Sequence, residues 1–445
     1  MRLMALALIT FVAGAIAAVA EEQPAPSSTQ LTLPAAVARA LELNPNLAAV
    51  REDLPAALAR LRMARSEGQP VGSANLSLST GTMGTVLPGA DGVMPRALTA
   101  APGASRADAN LTLMYPLYTG GRVGSAVSAA RHRVRATQAD IDAMVLEVAY
   151  QVRQAGWEVL VSRELVRVQE ENLAEQQERL RVDQALLDAG KVPPYYVQRD
   201  KAELAAAQQG LTNAQRDVAA ALLDLSVAIG LPPSTPLELA DRLSYDPAAA
   251  EVDEKALITS ALEGRPEARA LKANLAAAAR EVRSRRAAYV PQIDGMVMLE
   301  GEKRSGMRAD AGYLAGVVAS LPILDGGARR GEVSEARAMA RRLSRELAAL
   351  NLDIERQVRR AVLYLRAANQ NARTAMEAVA AAEEDNRVAL ARYRAGKAIN
   401  LEAISALATL VQARTNLAQA LFDYNVAVDA VRKAAGKLPE QGSPT

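Results

Sequence analysis

The spacing of apolar residues changes period several times along the chain, and each change predicts an element. From Leu31 to Arg65, Val37, Leu41, Leu47, Leu54, Leu58 and Leu61 recur at near-helical spacing. Asn44-Pro45 puts a turn inside that helical stretch, because the residue before proline is driven out of the α region. Ala256 to Ala288 has the same form, with its turn at Arg265-Pro266. The period then falls to two. Ala74, Leu76 and Leu78 alternate with Ser73, Asn75, Ser77 and Ser79, predicting a strand over about 73–80. Ala109, Leu111, Leu113 and Tyr115 alternate with Asp108, Asn110 and Thr112, predicting a second over 108–117. Ile293, Val297 and Leu299 mark a third over 292–300. Tyr313, Ala315, Val317, Ala319 and Leu321 mark a fourth over 312–321. Each run is about ten residues, the length a tilted strand needs to cross a bilayer. An ordinary half-buried sheet shows the same alternation.

Long helices follow each strand pair. No proline occurs between Pro116 and Pro193, or between Pro322 and Pro439. At about 1.5 Å per residue, a helix from Arg122 to Leu187 spans roughly 100 Å, far beyond an ordinary helix. Val134, Ile141, Val145, Val148, Val152, Val159 and Leu165 supply its apolar stripe. Ala189-Gly190-Lys191 breaks it, since glycine takes the left-handed turn, and a second helix returns from about Tyr195 to Ile229. Pro232-Pro233-Ser234-Thr235-Pro236 is too proline-rich for a helix and opens a linker or equatorial segment, 231–250.

Residues 116–230 read again, in phase, at 322–436. Pro116, Gly120, Gly121 and Arg131 return as Pro322, Gly326, Gly327 and Arg337. Gln151-Val152-Arg153 returns as Gln357-Val358-Arg359, and Ala189-Gly190-Lys191 as Ala395-Gly396-Lys397. The offset is 206 positions throughout (116 to 322, 230 to 436). A self-match of this length means two copies of one structural unit. We therefore divide the chain into repeat 1 (31–230) and repeat 2 (251–438), with a 439–445 tail. The hairpin tips are expected near 189–194 and 395–399.

The N-terminus adds a targeting signal. Met1-Arg2 supplies charge, Leu3 to Val19 is apolar, and Ala18-Val19-Ala20 offers a small-x-small cleavage site. A signal peptide over 1–20 and a flexible 21–30 are expected; a retained anchor is the alternative. No second apolar stretch is long enough for a transmembrane helix. The chain has no cysteine, which excludes disulfides, thiolate metal sites and a cysteine nucleophile. Its 52 basic and 50 acidic residues give a net charge of +2, so a nucleic-acid surface is not indicated. Two Phe and one Trp leave little bulk for a globular core, and abundant alanine favours closely spaced helices. Four bilayer-length strands leave two bare edges, costly in lipid, so the sheet must close. Four are too few for a barrel with a lumen, so several identical chains must share one.

With these elements in order, the chain resembles the TolC family of outer-membrane efflux proteins over about residues 31–438. The resemblance rests on the repeat, on Asn44-Pro45, and on the junctions Tyr115-Pro116-Leu117-Tyr118-Thr119-Gly120-Gly121 and Leu321-Pro322-Ile323-Leu324-Asp325-Gly326-Gly327. It rests also on the hairpin turns Ala189-Gly190-Lys191 and Tyr393-Arg394-Ala395-Gly396-Lys397. It implies a mainly α fold with a small membrane β part. Three chains would form a 12-stranded outer-membrane barrel continuous with a periplasmic α-helical barrel. The implied function is a channel-tunnel for drug efflux or type I secretion, in the outer membrane of a Gram-negative bacterium. It would be passive, with no catalysis and no cofactor. Implied partners are two further copies, a periplasmic adaptor, an inner-membrane transporter and outer-membrane lipid. A periplasmic coiled-coil adaptor or scaffold is the alternative, but it predicts one hairpin in a β-rich body.

The resemblance also assigns roles. Gly190, Lys191, Gly396 and Lys397 would be the adaptor-docking tips, where the channel also closes. A carboxylate six residues after the turn glycine is common in the family, and Glu402 holds that place in repeat 2; an exposed helix glutamate is the alternative. Three Glu402 side chains around one constriction would attract cations. Tyr196 occupies the matching place in repeat 1. Tyr393 corresponds to the gate tyrosine; its usual acid is missing, with Asp200 a possible substitute. Lone His132 lacks the neighbours of a metal site, and Glu383-Glu384-Asp385 reads as a solvated face.

Overall fold

The structure, a computed structural model, describes residues 29–80, 85–87, 96–98, 105–304 and 308–437. The signal peptide, the C-terminal tail and most of the loop 81–106 lie outside the described residues. Repeat 1 opens with β1 (Thr29–Leu31), α1 (Leu33–Leu43), α2 (Pro45–Arg51) and α3 (Asp53–Ser66). Then come β2 (Val71–Thr80), the short pair β3 (Thr85–Leu87) and β4 (Arg96–Leu98), and β5 (Ser105–Tyr118). The hairpin is α4 (Arg122–Asp188) with α5 (Pro194–Ile229). After β6 (Leu237–Leu239), repeat 2 supplies α6 (Glu254–Gly264), α7 (Pro266–Arg286), β7 (Gln292–Arg304) and β8 (Asp310–Ser320). It ends in α8 (Ala328–Arg394) and α9 (Asn400–Ala434). Among the described residues, no helix is long and apolar enough to cross a membrane.

Two backbone devices shape each repeat. Gly120 and Gly121, and again Gly326 and Gly327, take φ from 61° to 93° where a strand becomes a helix, a region a Cβ would disfavour. Gly190 and Gly396 (φ 71° and 69°) close the long helices. Lys191 N–H donates to Leu186 C=O and Lys397 N–H to Arg392 C=O, both at 2.8 Å, satisfying carbonyls that the helix end would orphan.

Equivalent positions build both cores. Val148, Val152 and Val159 are buried in repeat 1, and their counterparts Ile354, Val358 and Leu365 in repeat 2. Around the first set pack Leu33, Leu225, Ile229, Leu237 and Leu239. The 231–250 segment is more than a linker. Its Leu237–Leu239 pairs in parallel with Thr29–Leu31, which also orders the end of the expected flexible N-terminus. The proline cluster masked this three-residue strand, too short to show alternation.

The main sheet is antiparallel, in the order β2-β5-β7-β8. Its register puts Leu76, Leu78, Leu111, Leu113, Leu299 and Tyr313 on one face, each 46% or more exposed. The other face carries Ser73, Asn75, Ser77, Asn110, Thr112 and Glu300, with Asn75 Nδ2 donating to Asn110 Oδ1 at 2.9 Å. Apolar Met298 and Leu314 also lie on that face. Among the described residues, the outer sides of β2 and β8 are unpaired.

Candidate functional site

The tips of the two hairpins meet around a buried polar cluster. Arg179 and Asp183 project from α4, Asp200 from α5, Tyr393 from α8 and Asn400 from α9. Asp183 and Asp200 are both 0% exposed. Tyr393 Oη donates to Asp183 Oδ1. Asn400 Nδ2 donates to Asp183 Oδ2 at 2.6 Å and reaches Asp200 Oδ1 at 3.4 Å. Arg179 Nη2 donates to Asn400 Oδ1 at 3.1 Å, and its Nε lies 3.5 Å from Asp200 Oδ1. Asp200 Oδ2 and Arg179 Nε are buried without a hydrogen-bond partner. Two carboxylates, one guanidinium, one amide and one phenol thus tie hairpin 1 to hairpin 2.

Burial sets the protonation here. It pushes Asp200 up to about 6, reinforced by the Asp183 carboxylate and opposed by Arg179. Burial and Asp183 together push Tyr393 above the usual phenol range, so it stays a hydrogen-bond donor. Burial pulls Arg179 down, against the attraction of Asp200 and Asp183.

Of the expected gate residues, the structure brings Tyr393 and Asp200 into this cluster and leaves Glu402 and Tyr196 outside. The acid that accepts from Tyr393 is Asp183, while Asp200 meets Asn400 and Arg179. Glu402 is half-exposed in the first turn of α9, where Arg392 Nη1 approaches its carboxylate to 3.4 Å. Tyr196 packs edge-on against Tyr195 at 4.7 Å between ring centroids. Gly190, Lys191, Gly396 and Lys397 form the two exposed turns beyond the cluster. Sequence reasoning missed Asp183, Arg179 and Asn400. A signal existed in the repeat. Asp183 and Asp200 correspond to Ala389 and Ala406 of repeat 2, both buried. Carboxylates at positions that are apolar and buried in the sister copy must face inward.

A second buried ionic group ties the hairpins higher up. Asp429 Oδ2 accepts from Arg153 Nε and from Trp157 Nε1, both at 2.7 Å. No group of metal-ligating side chains occurs among the described residues.

Comparison with known proteins agrees with this architecture. The sequence profile of the outer membrane efflux proteins matches residues 36–231 and 257–437. The outer membrane efflux protein BepC of Brucella suis biovar 1 (strain 1330) is 25% identical over 328 residues, covering 72% of this chain and 70% of that protein. The outer-membrane channel OprN superposes with a TM-score of 0.78 at 21% identity, over 91% of this chain and 89% of that one. The outer membrane protein VceC from Vibrio cholerae gives 0.77 at 18% identity, over 91% and 96%. At such identities the superpositions show a shared fold. The profile match spans both repeats, and the chain belongs to the outer membrane efflux protein family.

Proposed function

We propose that this chain is one of three subunits of a passive outer-membrane conduit, fed from the periplasm by an adaptor and an inner-membrane transporter. The observation that carries the reading is the open sheet: four bilayer-length strands, an apolar exposed face, and, among the described residues, no partner for either edge. An unpaired edge in lipid costs several kcal/mol per unsatisfied group. Neighbouring copies that pair β8 with the next β2 remove both edges, and three copies give twelve strands.

The repeat supports the same closure in the helical part. Within one chain, α4 packs on α9 through Arg153, Trp157 and Asp429. The counterparts of Trp157 and Asp429 are Leu363 of α8, 63% exposed, and Leu223 of α5, 49% exposed. They have exchanged ionic for apolar chemistry and lack a cover in the single chain. An α8-to-α5 contact between neighbours repeats the α4-to-α9 contact within a chain. Such a head-to-tail interface closes a ring.

Detergent-purified protein is expected to sediment at three times the chain mass and to conduct ions across a planar bilayer. A monodisperse, folded monomer would contradict the shared barrel. Glu402 is assigned to the tip constriction, its partner Arg392 lying on the same chain. Glu402→Gln is expected to lower cation over anion permeability by about two- to threefold, from the loss of one charge per subunit in a narrow ring. Unchanged reversal potentials would remove Glu402 from the pore. The Tyr393–Asp183–Asn400–Asp200–Arg179 cluster is assigned as the latch that holds the tips together. The reading assigns transport and no catalytic step.

A further inference from the structure

The net charge of +2 conceals a steep segregation along the molecular axis. The four helix segments abutting the sheet are 53–66 of α3, 122–139 of α4, 274–286 of α7 and 328–345 of α8. Together they carry seventeen arginines. Only six carboxylates accompany them, counting Glu67 and Asp325 at the junctions. The α4 segment has four arginines and no acid before Asp140, and the α8 segment has six. This zone alone is therefore net +11 per chain.

Internal ion pairs do not neutralise it. Arg122, Arg133, Arg285, Arg329 and Arg342 meet carboxylates. The other twelve, among them the exposed Arg131, Arg135, Arg337 and Arg341, have no acidic partner among the described residues. The field is felt locally: His132 is held below the ordinary imidazole range, by burial first and then by Arg135 and Arg280. Within the zone a cleft of about 380 Å3 is lined by Arg60, Arg122, Arg133 and Arg285 together with Glu67, Glu281 and Glu332, so its charge is largely balanced and the unpaired arginines at issue are the exposed ones of α4 and α8. Beside it the junction loop presents Ile323 (85% exposed) and Leu324 (93% exposed). Exposed apolar side chains next to unpaired arginines match a surface with hydrocarbon on one side and phosphate on the other.

We propose that this arginine collar binds the phosphate groups of anionic phospholipid in the periplasmic leaflet of the outer membrane. The inference rests on the outer-membrane reading above, since that reading brings the collar to headgroup level. Guanidinium groups pair phosphate oxygens through two parallel hydrogen bonds, and the bound lipid supplies the negative charge that the chain omits.

The test compares the intact protein with the variant Arg131→Gln/Arg135→Gln/Arg337→Gln/Arg341→Gln, both purified in detergent with mixed phosphatidylglycerol and phosphatidylcholine. Native mass spectrometry counts the lipids retained, and planar-bilayer recording on the same samples reads the conduit. The wild type is expected to retain phosphatidylglycerol over phosphatidylcholine by about tenfold, with most of that preference lost in the variant and in high salt. Conductance is expected to persist in both. Equal retention of the two lipids by a conducting wild type would overturn the collar while leaving the conduit intact. So would displacement of the bound lipid by millimolar inorganic phosphate at constant ionic strength, which would make the ligand free phosphate. A variant with altered ion selectivity and unchanged lipid retention would place the arginines in the lumen and also overturn it. A wild type that fails to conduct would instead refute the conduit.

Discussion

Asp183→Ala is expected to raise the open fraction of the tips about 100-fold, read as open probability in planar bilayers. Asp183 accepts from Tyr393 and from Asn400, and it is fully buried. Its removal strands a phenol and an amide, and takes from Arg179 one of the two buried carboxylates beside it. Breaking a buried ionic group by deleting one partner costs about 3–5 kcal/mol. In this cluster the cost falls on the docked state, because solvent satisfies every group once the hairpins part. About 3 kcal/mol corresponds to roughly two powers of ten in the docked-to-parted ratio. Tyr393→Phe removes one hydroxyl without emptying the site and is expected to give a smaller increase, about tenfold. Unchanged open probability in a folded, trimeric Tyr393→Phe protein would show that this contact does not hold the tips.

The repeat explains how much of this was legible. A 206-residue offset, period-two runs of bilayer length and two proline-free helical stretches are long-range regularities. They survive in a single sequence because each is carried by many residues. The junction glycines are readable for a local reason, since only glycine takes both positive φ values without strain. The tip cluster is different. Its five members come from four helices and span 222 positions, from Arg179 to Asn400 inclusive. No spacing rule links them, and family resemblance drew attention to Tyr393 and Asp200 but not to Asp183, Arg179 or Asn400. Similarly, β1 and β6 are three residues each and 208 positions apart, counted from Thr29 to Leu237. Such a pairing leaves no periodic trace. What the repeat can reveal is departure from itself: Asp183 against Ala389, Asp200 against Ala406, and Trp157 against Leu363 all mark places where the two copies meet different neighbours.

The same cluster makes the latch depend on pH, with a defined sign. Asp200 faces Asp183 and Arg179 on α4, Tyr393 on α8 and Asn400 on α9, while Glu203 on its own helix acts on Arg179. In the docked tips its carboxyl stands at about 6, through burial first and Asp183 second; parting the hairpins exposes it and lowers it toward the ordinary value of about 3.9, while Asp183, on the same hairpin, stays nearby. A group whose pKa rises on docking binds its proton more tightly in the docked state. The stabilisation is therefore fully present below about pH 4 and is lost as pH rises through about 6. Its upper bound, reached if the whole shift between those two values is released on parting, is on the order of 3 kcal/mol. Arg179 recovers part of this when Asp200 ionises, since its Nε lies 3.5 Å from Oδ1. Open probability is thus expected to rise several-fold between pH 5 and pH 7, with its midpoint near 6. In Asp200→Asn, which cannot ionise, the dependence should flatten and the tips stay docked at neutral pH. If Asp200→Asn keeps the full wild-type pH profile, another group controls the latch, and ionisation of Asp200 does not set its strength.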